Sequence, residues 1–189
     1  MTYFPTAMLA ACALYFFSGY LLAETALPAT ESTVATQSDT RILNDRASVQ
    51  LPEGFTRMTE EQIADRYTAA QPRPQEVWYT DTGENIISLA FLFPFPGKPL
   101  ADGHVPELAA MMKNQMAAQK PVLTTQKVNG HTVSRLETVS SDAPGTRVYQ
   151  IIQLSAFSDE LMMVVFTTPE TLKGTYQPAG TATLDSLRY

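Results

Sequence analysis

Two stretches of this chain are apolar on both of their faces. From Ile86 to Phe93, the positions Ile87, Leu89, Phe91 and Phe93 form one apolar set, and Ile86, Ala90 and Leu92 form another. Leu161-Met162-Met163-Val164-Val165-Phe166 is apolar on both faces in the same way. Successive side chains of a strand point to opposite sides of its sheet, so such strands need cover above and below. A fold that accommodates them places both in the middle of a sheet between two covering layers.

The remaining elements follow from local signals. Ala47-Ser48-Val49-Gln50-Leu51 alternates and stops at Pro52, which reads as a first strand. Thr59 and Gln62 have the spacing of a capping box, and Met58 and Ile63 that of a hydrophobic staple. They predict a helix from Thr59 to about Ala70, ended by Pro72 and Pro74. Val77-Trp78-Tyr79 leads through the turn residues Asp81-Thr82-Gly83-Glu84 into the first doubly apolar strand. Pro94 to His104 reads as a loop, and a second helix is expected from Pro106 to Gln119. Leu108, Met112, Gln115 and Met116 share one face of it, with Met111 at the border.

Asn129-Gly130 between two alternating runs is the strongest short hairpin signal, because a type I′ turn needs positive φ at both central residues. Ser141 to Gly145 and Ser158-Asp159 mark further turns between strands. Thr168-Pro169-Glu170 is read as the capped start of a C-terminal helix, interrupted at Pro178 and Gly180. The order is strand, helix, hairpin, helix, four meandering strands, helix. It predicts an α+β protein: a three-layer α/β/α sandwich around a central, mostly antiparallel sheet of six or seven strands.

This folding part is expected over residues 46–189, after a leader (1–23) and a flexible linker (24–45). The leader is apolar from Tyr3 to Ala23 and carries no charged residue. It is about as long as the ~20 residues an apolar helix needs to cross a bilayer. Three readings stand: a signal peptide cleaved after Ala23, a retained N-terminal anchor, or a lipoprotein signal. The last rests on Leu9-Ala10-Ala11-Cys12, which matches a lipobox with Cys12 as the acylated residue. Against it, the apolar run Ala13 to Phe17 would then stand at the mature N-terminus. All three readings place the folded part outside the cytoplasm, in the periplasm or on a membrane facing it. Glu24 to Asp45 has no apolar period and reads as a tether.

Charge and residue types narrow the chemistry. The net charge is -6, with no basic stripe, which argues against nucleic acid and anionic lipid surfaces as partners. Contact with membrane is expected only through the N-terminus. Cys12 is the one cysteine, so the folding part has no thiol and cannot form a disulfide, which suits an oxidising compartment. His104 and His131 lie far apart in sequence and read as structural residues. Asp81 with Glu84, and Asp159 with Glu160, lack the alternating oxygen ligands of a calcium loop. There is no nucleophile elbow and no phosphate-cradling glycine loop. No catalytic residue, metal or cofactor is expected.

The order of elements and several local pieces resemble the DcrB-like periplasmic proteins. These belong to a fold group that includes the photosystem protein PsbP and a Ran-binding nuclear import factor. The matching pieces are Val49-Gln50-Leu51-Pro52, Val77-Trp78-Tyr79 with Asp81-Thr82-Gly83, and Asn129-Gly130-His131. Further on come Gly145-Thr146-Arg147-Val148-Tyr149, and Leu161-Met162 followed by Thr168-Pro169. The resemblance implies a non-catalytic adaptor, chaperone-like or binding module acting on another protein. The alternatives are an immunity protein against a secreted periplasmic effector and an enzyme without a readable motif. The candidate binding surface is the aromatic and proline-rich segment holding Phe93, Phe95 and Lys98, where rigid prolines beside aromatics offer a low-entropy apolar platform. The competing reading makes Phe91 and Phe93 core residues and Phe95 a plug at the sheet end.

Overall fold

The computed structural model describes residues 39–83, 85–143 and 146–189. The leader, Cys12 and the tether up to residue 38 lie outside the described residues, as do Glu84, Pro144 and Gly145 of two expected turns. Seven strands form one sheet: β3 (Thr56–Arg57), β4 (Glu76–Asp81), β5 (Ile86–Phe95), β6 (Val122–Val128), β7 (His131–Ala143), β8 (Thr146–Phe157) and β9 (Glu160–Pro169). Their order across it is β3-β4-β5-β9-β8-β7-β6, with every neighbouring pair antiparallel. A separate two-stranded hairpin, β1 (Asp39–Ile42) with β2 (Ala47–Gln50), lies outside that sheet.

The two doubly apolar segments, β5 and β9, are neighbours near the centre, paired from Ser88↔Thr167 to Phe95↔Leu161. Their alternate residues feed two separate cores. Ile87, Leu89, Phe91, Phe93, Met162, Val164 and Phe166 pack on one side, beneath the β1–β2 hairpin and α3 (Lys173–Ser186). Ala90, Leu92, Leu161, Met163 and Val165 pack on the other, beneath α1 (Glu60–Arg66) and α2 (Val105–Gln115). The protein is thus an α+β fold of three layers, and one covering layer is a helix plus a β-hairpin instead of helices alone. Fully burying a large aliphatic or aromatic side chain contributes about 1.5–3 kcal/mol, and this sheet does so on both faces.

The expected capping box is present: the Thr59 hydroxyl accepts from Gln62 N (3.2 Å), and Gln62 Oε1 accepts from Thr59 N (2.8 Å). Met58 and Ile63 are both buried in the core under α1. The helix stops at Arg66, four residues short of the expected end, because Tyr67 leaves helical geometry and turns its ring into that core. Met112 is buried on α2 while Met111 stays 42% exposed, as a border position should be. Asn129 and Gly130 both have positive φ, 49° and 93°, and close the β6–β7 hairpin.

α2 ends at Gln115, short of the expected Gln119, and three further boundaries differ from the sequence reading. Residues 39–45, placed in the tether, form β1 and its turn, because Ile42 and Leu43 are buried against the sheet. Pro94 and Phe95, placed in a loop, continue β5 past a register shift between Leu92 and Phe95. Thr168 caps no helix: it is buried near the end of β9, and a 3-10 turn at Glu170–Leu172 leads into α3.

Gly180 does not break α3, which runs through it and through Pro178. It lies face-on against the Phe166 ring, where an added Cβ would stand 2.8 Å from three ring atoms. Gly174, in the first turn of the same helix, has nothing within 4 Å of that position. Gly180→Ala is therefore expected to lose about 1–3 kcal/mol through overpacking, despite the better helix former. Gly174→Ala should gain up to about 1 kcal/mol. Urea denaturation of the two variants checks this, and a stabilised Gly180→Ala would contradict the packing.

Candidate functional site

Several turns and the C-terminal residue collect at one end of the sheet. The β1–β2 turn, the loop from Pro96 to His104, the Asn129-Gly130 turn, the Ser158-Asp159 turn and Tyr189 gather there. A row of rings links them. The Phe93 and Phe157 centroids are 4.7 Å apart, Phe157 and Tyr189 4.8 Å, and Tyr189 and His131 4.4 Å. The Arg46 guanidinium lies 4.8 Å from the Phe93 centroid and 4.9 Å from that of Phe157, close enough for cation–π attraction. The same guanidinium donates to the Ser158 hydroxyl at 3.3 Å.

The polar ends of the row are tied down. Asp102 accepts from Thr132 N at 3.1 Å, and its carboxylate stands 3.6 Å from His131 Nδ1. Leu100 N donates to the Asp159 carbonyl at 2.8 Å. The loop between β5 and α2 is thereby fastened at two points to neighbouring turns. Burial holds the Tyr189 hydroxyl above the ordinary tyrosine range, and the Asp102 carboxylate adds to this. Arg188 joins the C-terminal segment to β2 through backbone bonds of 2.8 and 2.9 Å with Ser48.

The predicted site residues do not share a surface. Phe93 is only 2% exposed and belongs to the core under the hairpin, so it cannot meet a partner. Regular alternation would place Phe95 on the same side. The register shift before Phe95 turns it instead towards the α2 core, against which it packs half-buried. Lys98 is exposed on the loop beyond, beside exposed Pro96 and Pro99. The core reading holds for Phe91 and Phe93, and Phe95 both plugs the sheet end and reaches its rim.

Sequence reasoning missed Glu76, a carboxylate 2% exposed in the first position of β4. One oxygen accepts the Trp78 indole N–H and the other the Leu43 backbone N–H, both at 2.8 Å. Arg57 lies 3.5 Å away from the second oxygen. Leu43, Asn44 and Asp45 all have positive φ, and Glu76 anchors that turn to the sheet. A second carboxylate, Glu137, accepts from Tyr149 Oη at 2.5 Å and from Gln177 at 3.3 Å, with the Lys173 ammonium over the Tyr149 ring. Burial, then the bond and charge of Glu137, push the Tyr149 hydroxyl far above its usual range, so it is the donor. Among the described residues no group of three His, Cys, Asp or Glu side chains is placed to hold a metal, and no helix is long and apolar enough to cross a membrane.

No family model matches the chain, and no curated protein matches it either. Solved structures similar to it include a crystal structure from Bacteroides thetaiotaomicron, with a TM-score of 0.50 and 8% identity. That likeness covers 80% of this chain and 48% of the other, so this chain spans about half of that protein's length. The solution structure of cyanobacterial PsbP from Synechocystis has a TM-score of 0.49 and 11% identity, over 85% of this chain and 96% of that one. The Ran-binding protein Mog1p of Saccharomyces cerevisiae gives 0.44 and 10%, over 81% and 95%. At such identities likeness speaks to the fold alone.

All three groups around Glu76 are donors, and only a carboxylate accepts from every one of them. Glu76→Gln turns an amide N–H₂ towards a donor and leaves one buried group unpaired, at a cost of about 1–3 kcal/mol. A shift of that size in the urea midpoint is expected; a change below about 0.5 kcal/mol would remove Glu76 as the anchor of the β1–β2 turn.

Proposed function

We propose that this chain is a non-catalytic envelope protein of a bacterium, a DcrB-like domain that binds another protein in the periplasm as an adaptor or chaperone-like module. The apolar leader and cysteine-free folding part support the compartment, and the ordered pieces from Val49 to Pro169 support the family.

The observation that carries the binding role is the rim of the loop end. Phe95, Pro96, Lys98 and Pro99 stand half-buried to exposed on a segment held by the Phe95↔Leu161 pairing on one side and by Leu100 N to Asp159 O on the other. A segment fixed at both ends, with two prolines, has little conformational entropy left to lose on binding. An apolar ring beside one cation and rigid prolines fits a protein surface better than a small polar substrate.

A photo-crosslinking residue placed at Pro96 or Lys98 should trap one discrete protein adduct in intact cells. The same residue at Glu61, exposed on α1, should trap none. Adducts from neither loop position, or the same adducts from all three, would overturn the loop end as the binding surface.

A further inference from the structure

The sheet has two edges, and they are unequal. At one, β3 contributes only Thr56 and Arg57. At the other, β6 presents seven residues and, among the described residues, pairs with β7 alone. We propose that β6 pairs antiparallel with β6 of a second copy of this chain, about a two-fold axis at Thr125, joining two seven-stranded sheets into one.

The register decides which backbone groups are available. Val128 and His131 flank the two-residue turn, so their amide and carbonyl groups bond each other. Bonded and non-bonded positions alternate along an antiparallel pair. Val128, Gln126, Thr124 and Val122 therefore direct their backbone groups at β7. Leu123, Thr125 and Lys127 direct theirs outward. A two-fold axis at Thr125 sets Thr125 against itself and Leu123 against Lys127 of the other copy. Every outward donor then meets an outward acceptor, and about six hydrogen bonds form. An axis between two residues would set outward groups against ones already used within the sheet, and an axis at Thr124 or Gln126 would pair fewer of the outward groups, forming about four hydrogen bonds.

The side chains are self-complementary in this register, as an isologous interface requires. Val122 stands opposite Val128 and Thr124 opposite Gln126. Val122 is one of two large apolar side chains that are strongly exposed among the described residues, at 60%. The pairing covers it with an apolar neighbour. Edge strands are commonly guarded by charges that would oppose each other on pairing. The one charge on β6 is Lys127, whose Nζ is drawn back to the Thr132 hydroxyl at 2.7 Å, and here it faces Leu123, not a second lysine. The pairing involves none of the loop-end residues and stands apart from the proposed partner surface.

The test uses the full chain with Cys12→Ser, so that any introduced cysteine is the only thiol. Opposed residues of a bonded pair have Cα atoms about 5.5 Å apart, within disulfide reach. Thr125→Cys should give a covalent dimer on oxidation in cells. Val122→Cys should not, because its copy lies about 20 Å away along the strand. In solution, Thr125→Pro removes an outward N–H while sparing the ladder to β7, and should turn the dimer into a folded monomer by light scattering. Thr125→Lys, which sets two ammonium groups face to face, should do the same where proline disturbs the fold. The proposal is overturned by a wild-type chain that stays monomeric at every concentration. It is equally overturned if Val122→Cys cross-links as well as Thr125→Cys, or if Thr125→Cys cross-links only to a different protein.

Discussion

The structure depends on a sheet whose central strands are apolar on both sides. β5, β9 and β8 send alternate residues into two cores, and neither core is complete without its own cover. Removing either layer would expose a row of Phe, Met, Val and Leu side chains, each contributing about 1.5–3 kcal/mol when buried. The helices and the hairpin are placed by that demand more than by their own propensity. α1 is seven residues long and α3 contains a proline, so neither would hold alone in water.

The covering layers also explain where the turns collect. The β1–β2 hairpin must reach across the sheet to cover Phe91 and Phe93, and its turn is caught there by Glu76. The same end receives Tyr189, drawn in by the bridge between Ser48 and Arg188. Aromatic contacts from Phe93 to His131 then run from core to rim, and the loop carrying Phe95 and Lys98 is fastened nearby, at Leu100 to Asp159 and at Asp102 to Thr132.

Much of this was legible in the residues. The two doubly apolar runs implied three layers, the Thr59–Gln62 spacing implied a capped helix, and Asn129-Gly130 implied a hairpin, because each signal is local and has one physical reading. What escaped notice depends on distant partners. Asp39-Thr40-Arg41-Ile42 looks like tether because only Ile42 is buried, and that follows from a sheet assembled elsewhere in the chain. Glu76 looks like a surface charge until its donors from Leu43, Arg57 and Trp78 converge. Gly180 looks like a breaker because the Phe166 ring that selects it is fourteen positions earlier. Phe95 looks like a loop residue because the register shift that carries β5 past Pro94 cannot be seen in an alternating pattern.

Residue-resolved hydrogen exchange under native conditions tests the enclosed sheet most directly. Amides of β5, β8 and β9 should exchange only when the whole domain unfolds, with a common opening free energy in the range of about 5–15 kcal/mol, while those of α1 open at lower cost. Amides from Ile87 to Phe91 that exchanged as freely as those of α1 would contradict a sheet sealed on both faces.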